Sequence, residues 1–317
     1  MQKILFIIDK IELKYFEFNN LVTNFWLIKE FLERGNDVFV TTIQQLSLKN
    51  SIPYSKCYKS YLKNDNIFYS VEDIVDLEIN SFDLVMFRPD PPVDIDYINA
   101  TYVFDFVKTK VINSPKAIRD FNEKLHSIYF SKYMTETLVT SSIEDIEKFL
   151  QEKKQIVLKP LNRCFGSGVM YLYYGDPNTR TIINTSTNNQ TTMVMVQEFI
   201  PEVKSGDVRI LTLGNEVLPY SIKKLPSKDD FKFNTHNDEF LVASELTKEH
   251  LDYFKPIAEK LNSLGIKMAG LDVINQKIIE INVTSPCYFI KEINNIHKIQ
   301  LEKILADHIL YHSLLTL

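Results

Sequence analysis

Gly270–Pro286 reads GLDVINQKIIEINVTSP, two alternating apolar runs joined around Asn275, followed at once by Thr-Ser-Pro. Such a pattern is a β-hairpin, and in an antiparallel pair directly opposed residues share a face, so loop length decides which side chains meet. A two-residue loop at Asn275-Gln276 sets Asp272 against Ile279 and Glu280 against Leu271, mixing charge with apolar groups on both faces. A three-residue loop, Asn275–Lys277, sets Asp272 opposite Glu280. It also collects Leu271, Val273, Ile279, Ile281 and Val283 on one core-facing side, with Ile274 and Ile278 paired at the turn end of the other. The sequence therefore predicts the three-residue loop. Asp272, Glu280 and Asn282 then form one cluster of oxygen ligands. Opposed carboxylates repel unless a cation lies between them, and such hard ligands suit Mg²⁺ that also holds phosphates. The alternative is a solvated polar face.

Around this hairpin the chain has room for several lobes, because its 317 residues exceed what one core usually serves. Hydrophobic residues at 45% and charged residues at 24% are ordinary for a globular protein and exclude long disorder and coiled coil. A net charge of -5 with no basic stripe excludes a nucleic-acid surface. The first apolar run ends at Asp9, too short for a signal segment or a membrane span, and reads as a buried strand. Cys57, Cys164 and Cys287 are few and widely spaced, with no zinc spacing, which fits a reducing, cytoplasmic setting.

Residues 1–113 alternate short strands (KILFII, DVFVTT, DLVMFR) with amphipathic segments, which predicts parallel βαβ units. One helix is expected over Asn19–Arg34, with Leu21, Phe25, Ile28 and Leu32 facing the core and Gly35 as its stop. From Ser114 a helix-rich stretch opens a smaller lobe, 114–200, that holds the strand QIVLKP, the loop NRCFGSG and the strand VMYLYY. A third lobe, 201–317, begins with a hairpin, GDVRILTLGNEVLPYSIKKL, turning at Gly214-Asn215. Pro226–Glu245 is polar and turn-rich, and reads as a loop that is mobile without ligand. His308 and His312, four apart near the C-terminus, lack further ligands and read as ordinary helix residues.

A cation held by carboxylates invites a phosphate donor, yet the chain has neither GxxxxGK[ST] nor GxGxxG after its first strand. Gly166-Ser167-Gly168 can bring backbone N–H groups close to a phosphate, although such a triplet is commonly just a turn. Lys159 and Lys124 lie near it in sequence order, as ligands or as surface charges.

In order and spacing, the blocks FRPDPPVDIDYINATY, NSPKAIRDFNEKL, IVLKP, VQEFIP, GDVRIL and GLDVI…IEINVTSP resemble the bacterial glutathione synthetases, ATP-grasp ligases. The resemblance spans about residues 81–289 and implies an α/β, multi-lobed ATP-grasp fold with an N-terminal parallel α/β lobe, a small central lid lobe and a C-terminal catalytic lobe. Carried over residue by residue, it implies that Lys124 and Lys159, with Gly166, Ser167 and Gly168, contact ATP phosphates. Glu198, Phe199 and Ile200 would hold the adenine edge, with Asp207 near the nucleotide or second substrate. Asp272, Glu280 and Asn282 would bind Mg²⁺, and Arg209 would stabilise charge on the reacting carboxyl. Arg88, Asp90 and Ser285 would recognise a peptide substrate.

The implied reaction passes the γ-phosphoryl group of ATP to a carboxylate, and an amine then displaces phosphate. The resemblance further implies a homo-oligomer, dimer or tetramer, acting on a small molecule or dipeptide without nucleic acid or membrane. Two departures stand out. LPSKDDFKFNTHNDEFLVASEL has neither glycine nor arginine where the family carries a glycine-rich loop, and bulky Arg163, Cys164 and Phe165 precede Gly166. A related ligase joining another amino acid or peptide, or a nucleotide-binding protein without turnover, are the alternative readings.

Overall fold

The computed structural model describes residues 1–164, 166–226 and 241–311. The N-terminal lobe is built on β1 (Lys3–Ile7), β2 (Asp37–Thr41), β3 (Leu46–Lys49), β4 (Ile52–Lys63), β5 (Asn66–Glu78), β6 (Leu84–Phe87) and β7 (Lys110–Ile112). Their order is β3-β4-β2-β1-β6-β7, with β5 on β4. Strands β2, β1, β6 and β7 are mutually parallel, as the alternating pattern predicts. The rest corrects it: β2 pairs β4, and β4 pairs both β3 and β5, all antiparallel. A long two-stranded ribbon thus stands where βαβ units were expected.

Helix α1 (Lys10–Lys14) is capped by the Asp9 side chain, and α2 (Thr23–Glu33) starts four residues later than expected, leaving Leu21 exposed. Phe25, Ile28 and Phe31 are its buried face. Helix α3 (Ile95–Val103) starts from an Asp94 cap. Helix α4 (Pro115–Asp120) uses Ser114 as its cap and Pro115 as its opening residue.

The central lobe is a four-stranded antiparallel sheet of β8 (Thr137–Thr140), β9 (Gln155–Pro160), β10 (Met170–Tyr173) and β11 (Val194–Glu198), ordered β10-β9-β11-β8. It is backed by α5 (Ile143–Lys153) and α6 (Thr179–Ser186), whose apolar faces form one small core with the strands. Packing puts the start of this lobe later than Ser114. Ile118 joins the N-terminal core, whereas Ala117, Phe121, Phe130, Tyr133 and Met134 join that of the third lobe.

The third lobe carries β12 (Asp207–Leu213), β13 (Glu216–Lys224), β14 (Leu241–Glu245), β15 (Met268–Ile274) and β16 (Lys277–Asn282), ordered β14-β13-β12-β15-β16. Helices α7 (Lys248–Ser263), α8 (Ile290–His297) and α9 (Leu301–Tyr311) complete it. The last five residues expected in the mobile loop are strand β14; positions 227–240 lie outside the described residues, as does His312.

The decisive hairpin differs from expectation. Ile274 pairs with Lys277 across a two-residue turn, Asn275-Gln276, in which both residues have positive φ, the requirement of a type I′ turn. Asp272 nevertheless faces Glu280, because the register shifts between Val273↔Ile278 and Asp272↔Glu280 and leaves Ile279 as a bulge. The extra residue restores the parity that the short turn would have broken. It also exchanges two side chains: Ile278 enters the core beside Val273, Leu271 and Ile281, while Ile279 turns to a separate cluster with Ile274.

Candidate active site

A cavity of about 760 Å³ lies among the three lobes. Its walls include Lys124, Lys159, Arg209, Asp272, Glu280 and Asn282, brought together from all along the chain. Gly166, Glu198, Phe199, Ile200, Asp207, Arg88, Asp90 and Ser285 also line it. Ser167 and Gly168 are in the adjoining loop and are not wall residues.

At the centre, β12 carries Arg209 opposite Asp272 of β15. Arg209 Nε donates to Asp272 Oδ1 at 2.7 Å and Nη2 to Oδ2 at 2.9 Å, a bidentate pair. Gly270 makes this possible: a Cβ there would lie 2.9 Å from Arg209 Cδ, so only glycine leaves room for the arginine stem. Lys224, at the end of β13, sits between two acids, with Nζ 2.9 Å from Asp272 Oδ1 and 2.7 Å from Asp207 Oδ2. Asn282 Nδ2 adds a bond to Asp272 Oδ2 at 3.1 Å. Burial pushes the Asp272 carboxyl up, but Arg209 and Lys224 outweigh it and hold the group well below the usual range. Asp207 remains raised, to about 7, by burial that Lys224 only partly offsets.

Asp272 therefore receives four donors, the full acceptor capacity of a carboxylate. The facing carboxylates are each neutralised by their own cation rather than by one between them, for Glu280 Oε1 lies 2.8 Å from Lys124 Nζ. Glu280 is the more open acid, at 28% side-chain exposure. Asn282 spends its amide nitrogen on Asp272 and Gly270 O, and its oxygen has no partner among the described residues.

The phosphate-side lysines also depend on backbone geometry. Lys124 follows the end of α4 and donates to Arg163 O at 2.6 Å, tying down the loop before Gly166. Gly168 has φ +74, and a Cβ there would come within 3.0 Å of Pro160. Lys159 Nζ donates to Ile279 O at 3.0 Å, using a carbonyl on the bulged residue. Burial pulls the Lys159 ammonium down to about 8. Phe199, Ile200, Val203, Ile274 and Ile279 form an apolar cluster beside it, flat enough in composition for a heteroaromatic ring. Glu198 N–H and Phe199 N–H are already bonded to Glu136 O and Gln155 O, so Ile200 carries the connector N–H left without a partner among the described residues.

At the other end, Arg88 is only 2% exposed and three of its five N–H donors are engaged. Nε reaches Asn24 Oδ1 at 2.5 Å and Nη2 reaches Pro286 O at 2.9 Å. Arg88 lines the cavity, and these bonds fix its guanidinium while one N–H on each terminal nitrogen is left over. Asp90 bonds to Ser285, and its carboxyl is raised by burial. Glu12 of α1, bonded to Asn24 Nδ2 at 2.8 Å, is pushed up to about 8 by burial and by Asp90.

Lys224, Glu12 and Glu123 escape sequence reasoning. Asp207 pairs with Lys224, but the β12–β13 register shifts between Ile210 and Thr212, so counting outward from Gly214-Asn215 does not align them. Glu12 and Glu123 reach the cavity through chain crossings that periodicity does not record. Among the described residues no group of three or more His, Cys, Asp or Glu side chains is arranged to hold a metal.

Comparison with known proteins agrees with this geometry. A family model described as the prokaryotic glutathione synthetase ATP-grasp domain matches residues 123–298, and one for the prokaryotic glutathione synthetase N-terminal domain matches residues 2–119. A glutathione synthetase of Neisseria meningitidis serogroup A is 35% identical, covering 84% of this chain and 86% of its own length. That of Buchnera aphidicola subsp. Schizaphis graminum is 33% identical, covering 90% and 91%. The solved D-cycloserine synthetase DcsG superposes with a TM-score of 0.67 at 13% identity, over 96% of this chain and 99% of its own. The ATP-grasp ligase PsnB, solved with Mg, ADP and a phosphomimetic variant of its minimal precursor, superposes with a TM-score of 0.61 at 13% identity, over 99% of both chains. The fold is the multi-lobed α/β ATP-grasp fold.

Proposed function

The chain belongs to the prokaryotic glutathione synthetase family of ATP-grasp ligases, which form C–N bonds with ATP, and we propose that it joins γ-glutamylcysteine to glycine. One observation carries the reading: Lys124, Lys159, Arg209, Asp272, Glu280 and Asn282 converge on a single cavity. The γ-phosphoryl group passes to the glycine-accepting carboxylate with release of ADP, and the amine of glycine attacks the acyl phosphate and expels phosphate. The protein's part is positioning and charge. Lys124 and Lys159 neutralise the phosphate chain, and the Phe199–Ile200 connector with Ile274 and Ile279 holds the base. Arg209 keeps one N–H on each terminal nitrogen beyond those given to Asp272 and Cys287 O, and these face the carbonyl that acquires charge.

The donor set fits Mg²⁺: Glu280 and the Asn282 oxygen are hard ligands open to the cavity, and phosphate oxygens complete such sites. Bound there, the ion would screen charge on the transferring phosphoryl group. Asp272 anchors this edge and would serve as a ligand only by giving up one of its four bonds. Asp90, Ser285 and Glu12 form the end suited to the ammonium of the donor dipeptide. Among the described residues no helix is long and apolar enough to cross a membrane. The three cysteines are free, which fits the proposed cytoplasmic setting. The N-terminal ribbon, whose β5 pairs on one side only and exposes Val71, is the surface proposed for homo-oligomer contact.

Incubation with ATP, Mg²⁺, γ-glutamylcysteine and glycine is expected to release ADP and yield the tripeptide. ADP release with other amino acid pairs but not with this one would replace the reading by a ligase of different specificity. The glycine-free stretch between Gly214 and Gly265 is the feature that favours that second reading.

A further inference from the structure

Asn122, Glu123 and Lys124 are consecutive, yet their side chains hold parts of the cavity that come from separate lobes. Asn122 Nδ2 donates to Leu161 O at 3.1 Å, and Lys124 Nζ to Arg163 O at 2.6 Å, so both grip the start of the phosphate-side loop. Lys124 also pairs with Glu280. Between them, Glu123 reaches the opposite way. Its Oε1 accepts from Val283 N at 2.6 Å, Thr284 N at 3.0 Å and Thr284 Oγ1 at 3.1 Å.

These three donors belong to the segment where β16 leaves its sheet, directly between Asn282 and Ser285. A strand exit frees backbone N–H groups that must find partners. Here a carboxylate supplies them, and charge-assisted bonds of this kind are stronger than those to a neutral acceptor. Val283 O is fixed from the other side by Asn113 Nδ2 at 2.8 Å. The peptide groups around Asn282 are therefore held by partners outside the sheet. The Glu123 Oε2 atom has no hydrogen-bond partner among the described residues, so the convergence on Oε1 is the side chain's structural commitment.

We propose that Glu123 is a positioning residue for the ligase reaction: through Val283 and Thr284 it fixes the Asn282–Ser285 exit relative to the loop that Asn122 and Lys124 hold. The inference rests on the ligase reading above. It acts through Asn282, so its loss changes the metal-side geometry while the apolar base cluster and Lys159 stay in place. Outer partners that orient ligands in this way typically change affinity or activity by about 10–100-fold.

The test compares Glu123→Ala, Glu123→Gln and Thr284→Val with the unaltered protein. Glu123→Ala is expected to lower kcat about 10–100-fold with KM for ATP changed less than about threefold. Glu123→Gln keeps an acceptor oxygen and recovers most of the loss. Thr284→Val removes one of the three donors and gives a smaller fall, about two- to fivefold, and it carries the test if Glu123→Ala does not fold. A readout without turnover is the melting shift produced by ADP alone and the further increment produced by Mg²⁺. Glu123→Ala should keep the first and lose most of the second, and Glu123→Gln should keep both.

Undiminished kcat and Mg²⁺ increment in Glu123→Ala would overturn the proposal. So would a Glu123→Gln variant that loses kcat and the Mg²⁺ increment as fully as Glu123→Ala, because an acceptor in the same place would then not restore the exit segment. Failure of the unaltered protein with γ-glutamylcysteine and glycine sinks only the substrate assignment, since the ADP and Mg²⁺ shifts do not depend on it. No ADP shift in the unaltered protein would overturn both.

Discussion

The two ends of the cavity solve opposite electrostatic problems. At the end around Asp272 three acids have a cation at contact: Asp272 has Arg209 and Lys224, Asp207 has Lys224, and Glu280 has Lys124. At the donor end Glu12 and Asp90 are raised by burial, while Arg88 beside them spends its donors on Asn24 and Pro286. A balanced network is preorganised, so that charge developing on a reacting carboxylate meets fixed dipoles. An under-compensated pair of acids gains most when a cationic group arrives. The difference is that the acids around Asp272 are fixed by contact cations. Glu12 and Asp90 have no contact cation among the described residues, which suits the cationic group proposed to bind there.

Asp272→Asn breaks that comparison most severely. It leaves Arg209 and Lys224 buried beside a neutral amide, and loss of one partner from such a network costs about 3–5 kcal/mol. Urea unfolding should show a fall of that size, and ADP release should drop by at least about 10²-fold. A variant with ordinary stability would mean that the four bonds to Asp272 are not the keystone of this end. Gly270→Ala is next. Its Cβ would displace Arg209, whose Cδ and Nη1 would lie 2.9 and 3.1 Å away. A shift of about 1 Å at a reacting centre can cost about 10²-fold, so kcat should fall by roughly that factor while ADP binding by calorimetry stays near normal.

Deleting Ile279 sharpens the role of the bulge. The two-residue turn would then lead straight to Asp272 opposite Glu280, preserving the acidic face but removing an apolar wall and the carbonyl that Lys159 contacts. Loss of roughly one buried isoleucine, about 1.5–3 kcal/mol, predicts a KM for ATP raised about tenfold or more with the metal dependence little changed. An unchanged KM would show that the bulge serves register alone.

The donor end is tested through pH. Glu12 is raised from 4.5 to about 8 by burial first and Asp90 second, so the folded protein holds its proton more tightly than the unfolded chain does. Its contribution to stability is full below about 4.5 and is lost as pH rises through about 8. Glu12→Gln should therefore gain on the unaltered protein between pH 5 and pH 8, by about 3–4 kcal/mol, with little further gain above that. A pH-independent difference in thermal or urea unfolding would remove Glu12 from the under-compensated pair.

The hairpin shows how far a one-dimensional pattern reaches. Alternation places Asp272, Glu280 and Asn282 on one face, and the structure has them there. The route differs, because periodicity cannot distinguish a three-residue loop from a two-residue turn with a bulge: both satisfy the same parity. The misassigned side chains, Ile278 and Ile279, are those beside the bulge. Their exchange is what provides the apolar wall near Lys159. Lys224 was missed for a related reason, since the β12–β13 register also shifts. Arg88 lies in the expected wall, but its bonds to Asn24 and Pro286 were not legible, because a sequence does not say which donors are already occupied.

The sequence by itself determined the parallel strands β1, β2 and β6, the acid-and-amide face and the family of the chain, because these follow from local alternation and from motifs in a fixed order. Tertiary structure alone decided which cation neutralises which acid, where the bulge turns Ile279, and that three adjacent side chains, Asn122 to Lys124, join separate lobes. Those outcomes depend on contacts between residues as far as 161 positions apart, as for Glu123 and Thr284. Their distances arise only when the cores close, and no local preference encodes them.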